Sequence, residues 1–439
     1  MAGSITISSI TLDSDNNFSI KSNTGATLFF ANTTGIDVAN SFASSSITSD
    51  KILTVANTQI SGNIVSSQIT SVANTQITGN IISSQIASVS GSVITANTIA
   101  NSAIQTGAVE NYMNAAGLGF GMRNRIINGA MVISQRSNTT ATTVNTNDVY
   151  TLDRFKGWAS GGGVFTVTQS STAPTGFANS ALITVTTADA SIAAGDNYRF
   201  AQAIEGYNIA DLGFGTASAS TVTLSFWVRS NITGTFGGSL YSVGGTRAYV
   251  FNYTINAANT FEYKTVTIAG DTSGTWGTVN STGITVYFDL GSGSNYENAT
   301  GSWVAAEKFR TSGNATLIST LSNTWYITGV QLEKGSTATS FDYRPYGTEL
   351  ALCQRYFELY DGGLLYLTKL RESDRNRRGN FYFKVTKRAA ATITLITSSA
   401  DGGGAISATG GIDGGNFENL STTDGQTPNV TKFSAAIEL

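Results

Sequence analysis

The sequence has no histidine and a single cysteine, Cys353. Without histidine there is no Ser-His-Asp or Cys-His catalytic arrangement and no Cys/His zinc site. One cysteine permits no intrachain disulfide, and Cys353 on an apolar helix face reads as a small hydrophobe. Charge is scarce as well: 12% of the residues are Asp, Glu, Lys or Arg, about half the usual share. A net charge of −3 excludes a general polyanion binder, so nucleic acid is not an expected partner. No apolar run reaches membrane-spanning length and no basic-then-apolar leader opens the sequence, so neither membrane insertion nor signal-peptide export is expected. Proline is limited to Pro174, Pro345 and Pro428.

Ser, Thr, Asn, Gly and Ala fill the space that charge leaves, a composition that suits β-structure with an uncharged polar surface. At 439 residues the chain has room for about three domains. Residues 56–89 are one seventeen-residue unit written twice, ANTQISGNIVSSQITSV and then ANTQITGNIISSQIASV, with three conservative differences. A near-identical tandem unit stacks on itself, because one copy cannot bury its own apolar face. Its isolated β-branched residues recur at gaps that fit neither the helical period nor strict alternation, and the Ser/Thr/Asn filler disfavours helix. Residues 46–110 therefore read as an oligomeric fibre shaft, in which three wound chains place every isoleucine on a shared axis. The plainer alternative is a flexible Ser/Asn linker.

Residues 1–45 read as short strands forming a small β head. Residues 111–122 are a glycine-broken joint whose G-x-G-x-G spacing is a poor match to a phosphate loop. Residues 123–347 hold strand-like runs, from RIINGAMVIS through TVTLSFWVRS to TWYITGVQLEKG. In TVTLSFWV, Val222, Leu224, Phe226 and Val228 face one way, with Thr223, Ser225 and Trp227 on the other side. So many strands with no confident helix predict a two-sheet jelly-roll sandwich. A helical turn fits within 200–213 and a short helix within 349–360. Residues 348–439 read as a small C-terminal β domain. The fold class expected is all-β throughout.

The runs NRIINGAMVISQR (124–136), YTLDRF (150–155), VTLSFWVRS (222–230), WYITGVQLEKG (325–335) and YRPYGTELALCQRYF (343–357) resemble a widespread bacteriophage tail-fibre module. Its large domain is similar to the jelly-roll carbohydrate-binding modules found appended to glycoside hydrolases. The resemblance implies a homotrimeric tail fibre of the virion, its N-terminal end attached to the phage tail or baseplate and its C-terminal end facing a host-surface glycan. Modules of this kind often hold a structural calcium, whose carboxylate ligands the sequence does not place; no other cofactor is implied. A purely structural spacer or decoration protein is the alternative, and a polysaccharide depolymerase a third.

Sugar recognition needs an aromatic platform with amides or carboxylates beside it. The loop region 274–303 offers Trp276, Tyr296 and Trp303, with Asn295, Glu297 and Asn298 adjacent; the bland alternative is that these rings pack loops onto the sandwich. Trp227, on the polar side of its strand, is a second candidate, whereas Trp158 and Trp325 are expected to pack. Arg371, Arg375, Arg377 and Arg378 form a basic cluster suited to anionic groups of a receptor, or else a solvated loop. Asp289, Glu297 and Glu307 lie near the aromatic loops, but no spacing singles out a catalytic pair, so no enzyme is expected.

Overall fold

The computed structural model of the chain describes residues 18–21, 27–32, 35–37 and 122–439, save 138, 245, 370–375, 401–404 and 421–427. The tandem repeat, the joint up to residue 121, Arg371 and Arg375 lie outside the described residues. The chain divides into two compact units, Met1–Ile99 and Ala100–Leu439.

In the first unit, β1 (Phe18–Lys21), β2 (Thr27–Asn32) and β3 (Gly35–Asp37) form a three-stranded antiparallel sheet in chain order.

The second unit is a β-sandwich of the jelly-roll type followed by a smaller pair of sheets. Its back sheet has the order β13 (Glu262–Ile268), β10 (Val222–Ser230), β16 (Thr324–Lys334), β8 (Ser180–Thr187), β7 (Val164–Ser170), β4 (Thr142–Val144). Its front sheet has the order β15 (Trp303–Val304), β12 (Arg247–Ile255), β11 (Gly234–Ser242), β14 (Thr282–Asp289), β9 (Asn197–Glu205), β6 (Phe155–Ser160), β5 (Val149–Tyr150). Alternation along each strand supplies the layer between them. Val222, Leu224, Phe226 and Val228 of β10 are fully buried, and Phe226 meets Phe288 of the front sheet edge to face at 5.1 Å. Trp325, wholly buried, packs against Phe200 and Phe288, as its place on an inward strand position predicts.

Two expectations change. RIINGAMVIS is not a strand but a buried loop. Its apolar residues Ile126, Met131 and Ile133 are in the interior, yet Asn128 and Met131 adopt left-handed φ values of 61° and 57°. The Asn128 side chain replaces a strand partner: its Oδ1 accepts from the Ile133 N–H and its Nδ2 donates to the carbonyls of Ile133 and Asp153. Gly129 passes so close to β16 that a Cβ there would lie 2.1 Å from the Val330 carbonyl oxygen. The short helix, α1, runs Tyr346–Gln354, and FELY belongs instead to strand β17 (Phe357–Tyr366). The turn expected within 200–213 is present as two 3-10 turns at Gly206–Asn208 and Ala210–Leu212.

Beyond α1, β17, β23 (Asn429–Ala436) and β20 (Thr392–Ser399) form one sheet. The second is built from β18 (Thr368–Lys369), β19 (Asn376–Tyr382), β22 (Gly414–Leu420) and β21 (Ile406–Gly410). Leu367, Phe381, Phe417, Val430 and Phe433 form their common core. Charge-assisted contacts join these sheets to the sandwich. Arg355 grips the buried Glu205 with two hydrogen bonds of 2.7 and 3.0 Å, and the Tyr356 hydroxyl donates to the same carboxylate. Glu438 accepts from Arg136 and from the fully buried Arg154.

Candidate functional site

The outer face of the front sheet carries a cleft of about 450 Å³. Strand alternation builds it. In β6, Phe155, Gly157 and Ala159 point inward, which sends Lys156, Trp158 and Ser160 outward. Register then sets Trp158 opposite Arg199 of β9, and Tyr287 of β14 opposite Ala201 on the other side of β9. The Arg199 guanidinium lies 4.2 Å from the ring centres of both Trp158 and Tyr287 and 5.1 Å from that of Phe309. It also pairs with Glu307. A buried cation is stable here because aromatic faces and a carboxylate replace its water.

The segment after β14 crosses this face and forms one wall. Tyr296 stacks on Phe309 at 4.6 Å, and Phe309 meets Tyr287 edge to face. Arg310 pins the segment from below through the Ser292 carbonyl, with Asp289 at 3.9 Å and Glu297 at 3.7 Å. On the opposite wall, Lys156 bridges to Asp148 at 2.6 Å. The four charged side chains of the cleft are thus two internal pairs, Arg199 with Glu307 and Lys156 with Asp148, and Lys156 also donates to a Leu439 oxygen at 3.2 Å. Burial raises the phenol pKa of Tyr287, against the pull of Arg199, and burial followed by Glu307 raises that of Tyr241. Both hydroxyls therefore remain neutral donors at physiological pH.

The structure sorts the sequence candidates. Tyr296 lines the cleft. Asn295 beside it is exposed, its carbonyl taken by Lys308, and Glu297 is half-buried against Arg310. Trp276 and Trp303 are elsewhere. They form an edge-to-face trio with Phe214, with centroids 4.8 to 5.8 Å apart, and Trp276 is only 7% exposed. Their indole N–H groups donate to the Ser273 and Ala269 carbonyls. Rings outside strand alternation were expected to stand clear of the core; these two instead close one end of the sandwich, where apolar area would otherwise meet water. Trp227 sits on the outer face of the back sheet, 5.3 Å from Tyr263. Arg377 is buried, and Arg378 is exposed in an ion pair of 2.9 Å with Glu418.

Trp158, expected to pack, has one face against the Arg199 guanidinium and also lines the cleft. Its signal was present: it shares the polar side of β6 with Lys156 and Ser160, the criterion that picked out Trp227. Arg199 is on a strand whose every residue is buried, whereas Tyr287 shares its side of β14 with Thr285 and Asp289 and carried the same signal as Trp158. Among the described residues no three Asp, Glu, Cys or His side chains gather as metal ligands. Among the buried carboxylates, Asp153 is bound by Gln135 and Glu333 by Thr339, whereas Asp289 Oδ2 accepts no hydrogen bond and faces Arg310 at 3.9 Å. Among the described residues, no helix is long and apolar enough to cross a membrane.

No protein-family model and no curated protein sequence matches the chain. Several solved structures are similar to part of it. The enzymatically active domain of tailspike protein 4 of bacteriophage CBA120 matches at 14% identity and a TM-score of 0.26, over 48% of this chain and 22% of its own length. A family 11 carbohydrate-binding module from Clostridium thermocellum, in complex with a mixed-linked tetrasaccharide, matches at 12% identity and a TM-score of 0.23, over 46% of this chain and 98% of its own. A sugar-binding protein from Bacteroides thetaiotaomicron, assigned that role provisionally, matches at 13% identity and a TM-score of 0.27, over 48% of this chain and all of its own. At these values the function has to be read from the cleft itself.

Proposed function

We propose that this chain is a carbohydrate-binding adhesin, the receptor-facing part of a homotrimeric phage tail fibre, and that the front-sheet cleft holds the glycan. One observation carries the binding reading. A concave site of about 450 Å³ presents the half-buried rings of Trp158 and Tyr296 over the buried rings of Tyr241 and Tyr287, beside hydroxyl and amide groups, and sugar binding needs apolar ring faces flanked by fixed polar groups. Arg199 holds one face of the Trp158 indole and so fixes the ring's orientation before any ligand arrives. Less ordering on binding leaves more affinity.

The fibre context rests on the tandem repeat and on the sequence resemblance. In that context the head, residues 1–45, docks on the tail or baseplate, the shaft, residues 46–110, gives reach, and weak single-site affinity is raised by multiplicity. In this reading the site binds rather than cleaves: the side-chain carboxylates lining the cleft, Asp148 and Glu307, are each engaged in an ion pair. A spacer role is favoured by one observation, the commitment of Trp276 and Trp303 to packing.

The test is calorimetric titration of the full chain with host-surface polysaccharide, comparing it with Trp158→Ala. Loss of about 1–2 kcal/mol, roughly ten- to thirtyfold in Kd, is expected for removal of a central aromatic anchor. Equal binding by both proteins rejects the cleft. No binding by either, together with normal virion adsorption of the variant, establishes the spacer.

A further inference from the structure

The outer face of the back sheet bears a second concavity, of about 410 Å³. Trp227 of β10 lies opposite Tyr263 of β13 in register, their rings 5.3 Å apart and inclined at 46°. A second aromatic group faces them: Phe177, Phe341 and Tyr343 pack at 4.8 to 5.5 Å from one another. The Tyr343 hydroxyl is pinned to the Gly176 carbonyl at 2.6 Å. Tyr263 and Tyr343 are nonetheless 43% and 58% exposed, so their ring faces are not consumed by packing.

The floor between the two groups is built for openness. The register of β10 against β16 slips between Ser225 and Trp227, and such bulges re-aim side chains. Gly329 sits at the slip with φ +62°, a conformation that favours glycine. A Cβ there would stand 2.7 Å from Phe177 and 3.1 Å from Trp227. Any side chain at 329 would therefore wedge between the two aromatic groups and fill the groove.

Charge decides the occupant. Not one of the residues lining this groove is ionisable at neutral pH; its polar groups are the hydroxyls of Ser225, Thr339, Ser340 and the tyrosines. An anionic or cationic ligand would be desolvated there with nothing to pair it, and protein partners of such grooves usually supply charged rims that find no counterpart here. Aromatic faces with neutral hydroxyls suit a polyhydroxylated ring without charge. We propose that this groove is a second glycan site, selective for uncharged sugars, on the face of the sandwich opposite the cleft. The chain then engages two glycan segments at once, and the second site stands whether or not the first binds.

The test is titration of the full chain with a panel of uncharged oligosaccharides (β-glucan, xylan, galactan and mannan hexamers) and with a uronic-acid hexamer, at low and high salt. Trp227→Ala and Gly329→Val are each compared with Trp158→Ala. The expected result is at least one uncharged hexamer whose binding falls tenfold or more in Trp227→Ala and in Gly329→Val, remains in Trp158→Ala and is unaffected by salt. If Gly329→Val fails to fold, Trp227→Ala, which alters an outward side chain, still decides. The proposal is overturned by a hexamer panel insensitive to Trp227→Ala, by preference for the uronic-acid hexamer, or by a loss of oligomer mass in light scattering of Trp227→Ala, which would make the groove a contact between copies of the chain. Failure of the cleft reading is separate, because it appears in Trp158→Ala alone.

Discussion

Trp158 and Trp276 are the same residue type in the same sandwich, and the fold uses them in opposite ways. Trp158 stands on a strand, where neighbours at two-residue spacing fix which way the ring faces; the sheet, not the ring, decides that it lines a cleft. Trp276 stands in the connection before β14, where no pleat imposes a direction, and hydrophobicity decides instead. Its ring swings onto Phe214 and Trp303 and is 7% exposed. An indole in a polar loop is thus a weaker sign of a ligand than an indole on the polar side of a strand. Burial is favourable wherever the backbone leaves the choice open.

The largest effect that sharpens this contrast is on stability. Trp276→Ala removes a buried ring and should cost about 3–5 kcal/mol in chemical denaturation, as large-to-small core changes do. Trp158→Ala should cost about 1 kcal/mol or less and act on glycan affinity instead. Similar losses of stability for the two would erase the distinction between packing and presenting tryptophans.

The pH dependence of stability separates buried from rim carboxylates. Burial raises the pKa of Glu262, but hydrogen bonds from Lys264, the Ala257 N–H and Asn256 outweigh it and bring it down to about 2. Its stabilising contribution is complete above the ordinary value near 4.5 and is lost as pH falls from there toward 2. Asp289, wholly buried, is raised above its ordinary value by desolvation, despite Arg310. Its contribution is complete below the ordinary value near 3.8 and declines as pH rises through the folded value. Denaturation midpoints between pH 2 and 7 should lose part of their acid slope in Glu262→Gln and show the opposite change in Asp289→Asn.

The smallest effect is expected at the C-terminal sheets. Arg378 and Glu418 are 49% and 37% exposed, so Arg378→Ala should change stability by less than about 1 kcal/mol. A fall in adsorption to host cells without any fall in stability would mark Arg378 as a receptor contact; unchanged adsorption would leave it a solvated pair.

Much of the sandwich was legible because alternation is a local property. β10 could be assigned face by face from TVTLSFWV. Where side chains take over backbone roles, legibility stops. Asn128 hydrogen-bonds to Ile133 and Asp153 in place of a neighbouring strand, and no periodicity reveals that RIINGAMVIS curls into a loop. The helix was visible in ELALCQ, but its end was not, because the aromatic-rich FELY finds a strand partner in β23, more than sixty residues later.

The candidate site was legible only in fragments. Tyr296 was named for its polar neighbourhood, and Trp158 carried a readable signal. Tyr241 and Tyr287 share the polar sides of their strands and carried one too, but Arg199 did not, since a buried arginine between aromatics looks in sequence like an ordinary strand position. The sequence by itself determined an all-β chain with a repeated unit, scarce charge and none of the His-based chemistries. Only the tertiary structure decided where that chain can hold a ligand. β6, β9, β14 and β11 are far apart in sequence, and antiparallel pairing makes them neighbours. Hydrogen-bond register across non-consecutive strands places Trp158, Arg199 and Tyr287 on one face, and no local pattern encodes that register.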